Sequence, residues 1–251
     1  MEFEIASFSF TLIDLGLLLA VAALIGMAKT GLQGAGMIAV PMLALVFGAK
    51  SSTGVMLPIL IFADLFGVYY YNKHANWQHL KKLIPFAFFG VILGTFTGNA
   101  INETLFAHFM VVIIFVSLAI MIWRERNSNA GVVDSFWFVA AIGIAGGFTT
   151  MIGNLAGPVM ALYLLSTQLP KNQFIGTAAW FFLIINLLKV PFHIWVWETI
   201  TWSTVLLNIA LIPAIAVGAV LGISIVKKIP EVGFRWFVII MTAVSAIAMM
   251  I

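Results

Sequence analysis

Apolar runs of about 14 to 23 residues follow one another along nearly the whole 251-residue chain, interrupted only by brief polar stretches. At roughly 1.5 Å per residue, such runs as helix cover most or all of a hydrocarbon core about 30 Å thick. Inside lipid every backbone N–H and C=O must be matched internally, which leaves helices or closed barrels, and the absence of period-two alternation selects helices. Charged residues make up only 8% of the chain and apolar ones 63%, too few polar groups to coat a water-soluble surface. The expected fold is therefore all-α, a polytopic protein whose main partner is the lipid bilayer.

The chain also repeats itself. Gly36 to Lys50 aligns with Gly157 to Lys171 at an offset of 121, and Gly54 and Asp64 align with Gly176 and Asn186 at 122. Pro85, Gly90, Gly94, Phe106 and Phe109 match Pro213, Gly218, Gly222, Phe234 and Phe237 at an offset of 128. Glycine, proline and lysine in conserved order argue for a duplication, with residues 1–125 as the first transmembrane repeat and 126–251 as the second. Each half reads as two short arms and three longer spans, about five helical segments. The arms are expected near residues 12–28 and 36–48, then 135–149 and 156–167. The spans are expected near 53–72, 83–99 and 105–123, then 174–194, 204–226 and 234–251.

Loop charge sets the orientation. Lys73, Lys81, Lys82, Arg124, Arg126, Lys171, Lys227, Lys228 and Arg235, nine of the twelve basic residues, fall on one face, expected to be cytoplasmic. Glu2, Glu4, Glu103 and Glu198 fall on the other, with Lys50 as the basic exception. Both termini are thus expected outside, and an odd number of crossings per half makes the repeat inverted. The arms are short for a full crossing. They either cross or form re-entrant hairpins, one from each side, and the hairpin reading places their tips together near the midplane.

The tips carry the polar residues. Lys29, Thr30, Gln33, Gly34 and Gly36 lie in one, and Thr149, Thr150, Gly153, Asn154 and Gly157 in the other. Glycine and amides at membrane depth imply broken helices, and a helix that starts there presents free N–H groups and the positive end of its dipole to the protein centre, favouring an anion. The competing explanation for the glycines is close helix packing. Ionisable residues inside spans are costly and are functional candidates. Lys189 can neutralise an anionic substrate, or snorkel to an interface marked by Trp195 and Trp197. Asp64, aligned with Asn186, can form an ion pair with Lys29 or Lys189, or relay a proton.

Other chemistry finds little support. There is no cysteine, so no disulfide or thiolate site, and His74, His79 and His108 lack metal-ligand spacing. No metal or cofactor is expected. Nucleotide and hydrolase motifs are absent, no nucleophile or paired carboxylate falls at membrane depth, and the chain is not expected to be an enzyme. A net charge of +3 spread over short loops argues against nucleic acid. The N-terminal MEFEIASF is acidic where a secretory signal is basic, and it is expected to be retained. The abundant Met and Phe read as lipid-facing and core packing.

The phrase GLQGAGMIAVPMLALVFG and its weaker copy around GGFTTMIGNLAGPVMALYLL resemble the TauE/SafE family of sulfite and sulfonate exporters, over essentially the whole chain. Gly34, Gly36, Val40 and Pro41 match the first glycine-rich turn of that family; Gly146, Gly147, Gly153 and Gly157 match the second. The resemblance implies a cell-membrane transporter of small sulfur-containing or organic anions. The expected function is thus a secondary transporter, exporter-like, working by alternating access on a small anionic substrate. An anion channel, a membrane scaffold and an intramembrane enzyme are the alternatives. A homodimer is compatible with a body this small.

Overall fold

The computed structural model describes residues 2–5, 8–32, 35–47, 49–98, 100, 102, 105, 119, 122–123, 126 and 135–248. The span expected over residues 105–123 and the linker after it fall almost wholly outside the described residues. The helices are α1 (Leu12–Lys29), α2 (Ala39–Phe47), α3 (Ala49–Tyr71), α4 (Trp77–Thr97), α5 (Phe136–Gly153), α6 (Gly157–Ser166), α7 (Lys171–Trp195), α8 (Trp202–Lys228) and α9 (Glu231–Ala248). Six of them, α1, α3, α4, α5, α7 and α8, are long and apolar enough to cross a membrane. The protein is an all-α polytopic membrane protein, and the expected segments that fall on described residues coincide with these helices to within about four residues, except that α4 starts at Trp77, six residues before the expected 83.

One element was not expected. A short antiparallel hairpin, β1 (Glu2–Ile5) and β2 (Phe8–Thr11), precedes α1, with Phe3 opposite Phe10 and Glu4 opposite Ser9. It follows from the alternation in FSFT, too short a run to stand out in the sequence. Thr11 then starts α1 through a capping box with Asp14, the backbone N–H of Asp14 donating to Thr11 Oγ1 at 3.2 Å and that of Thr11 to Asp14 Oδ2 at 2.9 Å. α8 begins the same way, on Thr201 and Thr204. It ends where Lys171 Nζ donates to the carbonyls of Ile229 and Val226 at 2.6 and 3.2 Å, closing orphan C-terminal groups with a cation.

Each pair of arms folds back on itself. Phe10, at the foot of α1, stacks edge-on against Phe47 at the far end of α2, with ring centroids 5.9 Å apart. Phe138 at the foot of α5 likewise lies 6.5 Å from Tyr163 near the end of α6. The two hairpins enter from opposite ends of the molecule: the first returns directly into the start of α3, whereas Tyr163 meets His79 at the start of α4, beyond the end of α3. Their tips therefore meet in the middle.

Glycines let helices from different halves touch backbone to backbone. A Cβ at Gly26 of α1 would overlap the Ile215 carbonyl of α8, and one at Gly218 would overlap the Ala23 carbonyl. On the other side, a Cβ at Gly147 of α5 would overlap the Ala87 carbonyl of α4, and one at Gly90 the Ile144 carbonyl. Each of the second pair of contacts sits at the offsets of 121 and 128 from one of the first. Gly54 against Thr199 and Gly176 against Tyr71 are related in the same way, at offsets of 122 and 128. Close approach of this kind is how membrane helices gain dispersion contacts without a hydrophobic driving force between them. Gly147→Val is expected to cost about 1–3 kcal/mol or more by overpacking, lowering the melting temperature in detergent by several degrees. Gly16→Ala, where an added Cβ meets nothing within 4 Å, is expected to leave it unchanged. Equal effects would show that these contacts do not hold the helices together.

Candidate functional site

Both tips end α-helices in tight, hydrogen-bonded turns. At the first, Thr30 caps α1, and its hydroxyl donates to carbonyls at 2.9 Å (Gly26) and 3.0 Å (Ala219), tying the tip to α8. Gly31 follows at φ 149°, a conformation L side chains rarely adopt, against Val226, and a side chain there would collide with it. The chain turns back through a 3-10 turn, Ala35–Ile38, into α2. At the second tip, Asn154 takes the left-handed conformation (φ 57°, ψ 29°) that ends α5, a position asparagine tolerates better than most residues. Its backbone N–H donates to Thr150 O at 3.0 Å. α6 then starts at Gly157, with Pro158 in its first turn, where the missing N–H costs no hydrogen bond.

The tips close around α3 and α7, which bring Asp64, Asn186 and Lys189 to the level of Lys29 at the end of α1. Lys29 Nζ lies 2.9 Å from Asp64 Oδ1, and Asn186 Nδ2 donates to Asp64 Oδ2 at 2.7 Å. The Lys29 contact is an ion pair. Lys189 Nζ donates to Asn154 Oδ1 at 2.6 Å, Thr150 Oγ1 at 3.2 Å and Asn186 Oδ1 at 3.3 Å. Asp64 and Lys189 are completely buried, and Lys29 is 12% exposed over the face of Phe182, 3.8 Å from its centroid. Lys189 is thus pinned to the second tip and does not snorkel. Trp197, expected at the interface, is buried and donates from Nε1 to Thr95 O at 3.3 Å, whereas Trp195 is exposed.

Between the tips lies a cavity of about 50 Å³. One water needs roughly 10–15 Å³ on that measure, so an ion of several heavy atoms fits. One wall is polar, made by Lys29, Thr150, Asn154 and Asn186; Gly36 and Gly157 mark the two turns, each leading into a helix. The rest of the lining is apolar: Ile25, Met56, Leu60 and Phe182 among others.

Of the residues singled out from sequence, Lys29, Gly36, Thr150, Asn154, Gly157 and Asn186 reach the cavity, and Asp64 and Lys189 stand directly behind them. Thr30 and Thr149 do not line it; Thr149 Oγ1 donates to Gly146 O at 3.2 Å, inside its own helix. Gly153 is buried in the last turn of α5, and Gln33 and Gly34 lie outside the described residues. The apolar wall went unread in the sequence. Its signal was helical spacing: Met56, Leu60 and Asp64 recur every fourth residue, as do Phe182 and Asn186, so each pair shares a helix face.

Six helices among the described residues able to cross a bilayer, with buried charges gathered around a central cavity, define a multi-pass membrane protein built around an interior polar site. The family model for sulfite exporter TauE/SafE matches residues 18–249, and the chain belongs to this family of membrane transporters. No curated protein and no solved structure matches it.

Removing one member of the buried pair leaves the other uncompensated, at a cost of about 3–5 kcal/mol. Asp64→Ala is therefore expected to lower the melting temperature markedly, and Lys29→Met added to it to restore most of the loss. Melts of both purified variants check this; a double variant no more stable than the single would show that the two do not act as a pair.

Proposed function

We propose that this chain is a secondary transporter that moves a small oxyanion of the sulfite or sulfonate class across the cell membrane by alternating access. The observation that carries the reading is a pair of buried lysines beside the cavity, one paired with the Asp64 carboxylate and the other held by three neutral oxygens. One positive charge is left for a ligand. The first turns of α6 and of the segment leading into α2 add backbone N–H groups, and Thr150, Asn154 and Asn186 supply hydrogen-bonding side chains. The family's name, sulfite exporter, points to the same class of ligand.

Support for alternating access comes from the paired glycine contacts. α1 lies on α8 as α5 lies on α4, at the offsets of the sequence repeat, and Asn186 bonds to Asp64, its own counterpart at an offset of 122. That is the pattern expected of two inverted halves, residues 1–125 and 126–251, related by an axis through the Asp64–Asn186 contact. Halves so related can exchange conformations, which opens the same site to the other side. In this reading both hairpins are re-entrant, basic loops face the cytoplasm and both termini face outward. A homodimer remains compatible with the exposed apolar helix faces.

Flux of labelled sulfite and of a small sulfonate into proteoliposomes tests the proposal. The wild type is expected to give saturable uptake, and Lys189→Ala or Asn154→Ala to lower it about tenfold or more, the worth of one charge-assisted hydrogen bond. Unsaturable flux would favour a channel. Unchanged uptake in both variants, with folded protein in the vesicles, would remove the site from the tips.

A further inference from the structure

The partners of each buried ionisable group around the cavity favour one charge state. Lys189 Nζ faces three oxygens, the amide acceptors Asn154 Oδ1 and Asn186 Oδ1 and the Thr150 hydroxyl, a set that the three hydrogens of an ammonium satisfy together. Lys29 lies between Asp64 Oδ1 and the face of Phe182, two partners that each favour a cation. Asp64 Oδ2 accepts from the Asn186 amide and Oδ1 faces the Lys29 charge at 2.9 Å, the surroundings that suit an ionised carboxylate. His193 lies one turn beyond Lys189 on α7; its Nδ1 is 2.8 Å from Thr199 Oγ1 and its Nε2 is buried with no partner. An imidazolium would strand an N–H there, so the ring is neutral. Two cations and one anion leave a single positive charge.

Resting on the anion site proposed above, we infer that the cavity is matched to a singly charged oxyanion and that Asp64 sets this number. A monoanion brings the buried cluster to zero. A dianion leaves one negative charge uncompensated in a low-dielectric interior, which is expensive for the same reason that any lone buried ion is. Asp64 does not line the cavity; it stands behind Lys29, which does. Its role is to hold half of the available positive charge away from the ligand. It is a specificity-determining residue rather than a substrate contact, and its influence reaches the ligand through Lys29. Removing its charge raises the cluster from one positive charge to two and makes a dianion the balanced ligand.

Methanesulfonate and sulfate are tetrahedral sulfur oxyanions of similar size that carry one and two charges at neutral pH. Isothermal titration calorimetry of the purified full chain with each sodium salt, at fixed ionic strength, reads the preference directly. The wild type is expected to bind methanesulfonate about tenfold or more tightly than sulfate, and Asp64→Asn to shift that ratio about tenfold or more toward sulfate. Should Asp64→Asn not fold, Lys29→Gln takes its place: with the sum at zero, methanesulfonate affinity is expected to fall about tenfold or more. Equal or tighter sulfate binding by the wild type, a ratio unmoved in Asp64→Asn, or undiminished affinity in Lys29→Gln would overturn the charge rule while leaving an anion site in place. Binding of neither salt by the wild type would overturn the anion site itself, and the charge rule with it.

Discussion

The hydrogen bond from Asn186 to Asp64 joins the two long central helices at the middle of the molecule, and the rest of the polar interior is arranged around it. Asp64 draws Lys29 inward from the first tip, while Asn186 accepts from Lys189, which holds the second tip by Thr150 and Asn154. A single connected set of side chains thus links α1, α3, α5 and α7. Buried charges are tolerated inside a membrane protein only when each is matched in this way. The same connection gives the cluster a functional consequence, because a ligand that competes for Lys29 or Asn154 alters the hold on a whole hairpin.

Around that polar centre, packing is supplied by the absence of side chains. Where Gly26, Gly218, Gly90 and Gly147 let backbones touch, α1 is held to α8 and α5 to α4, so each hairpin is carried by a helix of the other half. Thr30 adds a polar tie to the first of these contacts by donating to Ala219 O. In the mechanism proposed above, a hairpin gripped by the opposite half and pinned at its tip to the central helices would link occupancy of the cavity to the relative position of the halves.

Much of this architecture was legible in the sequence because membranes impose simple rules. Run length and the scarcity of charge gave the helices, and the Gly, Pro and Lys matches suggested the duplication on which the proposed mechanism rests. Gly36, Asn154 and Gly157 were recognisable as tip residues because such residues interrupt helices at a depth where interruption needs a reason. The direction of hydroxyls was not legible: Thr30 and Thr149 turn to carbonyls of their own helices, a local choice that serine and threonine often make. Phe182 and Met56 were hidden among many similar residues whose ordinary place is core or lipid. The fate of Lys189 depended on Asn154 and Thr150 arriving from more than thirty residues away, a contact no local pattern encodes.

The central claim is that the two tips enclose an aqueous, anion-binding cavity. Because the chain has no cysteine, Thr150→Cys places a single thiol of nearly native shape on the cavity wall. Its modification rate by a membrane-impermeant anionic methanethiosulfonate, with Ser166→Cys at the buried far end of α6 as the reference, is the direct measurement. Rapid modification at position 150, slowed by a small sulfonate, with little at 166, is the result this account predicts. A thiol at 150 that is inert from both sides, or modified at a rate that no anion changes, would contradict it.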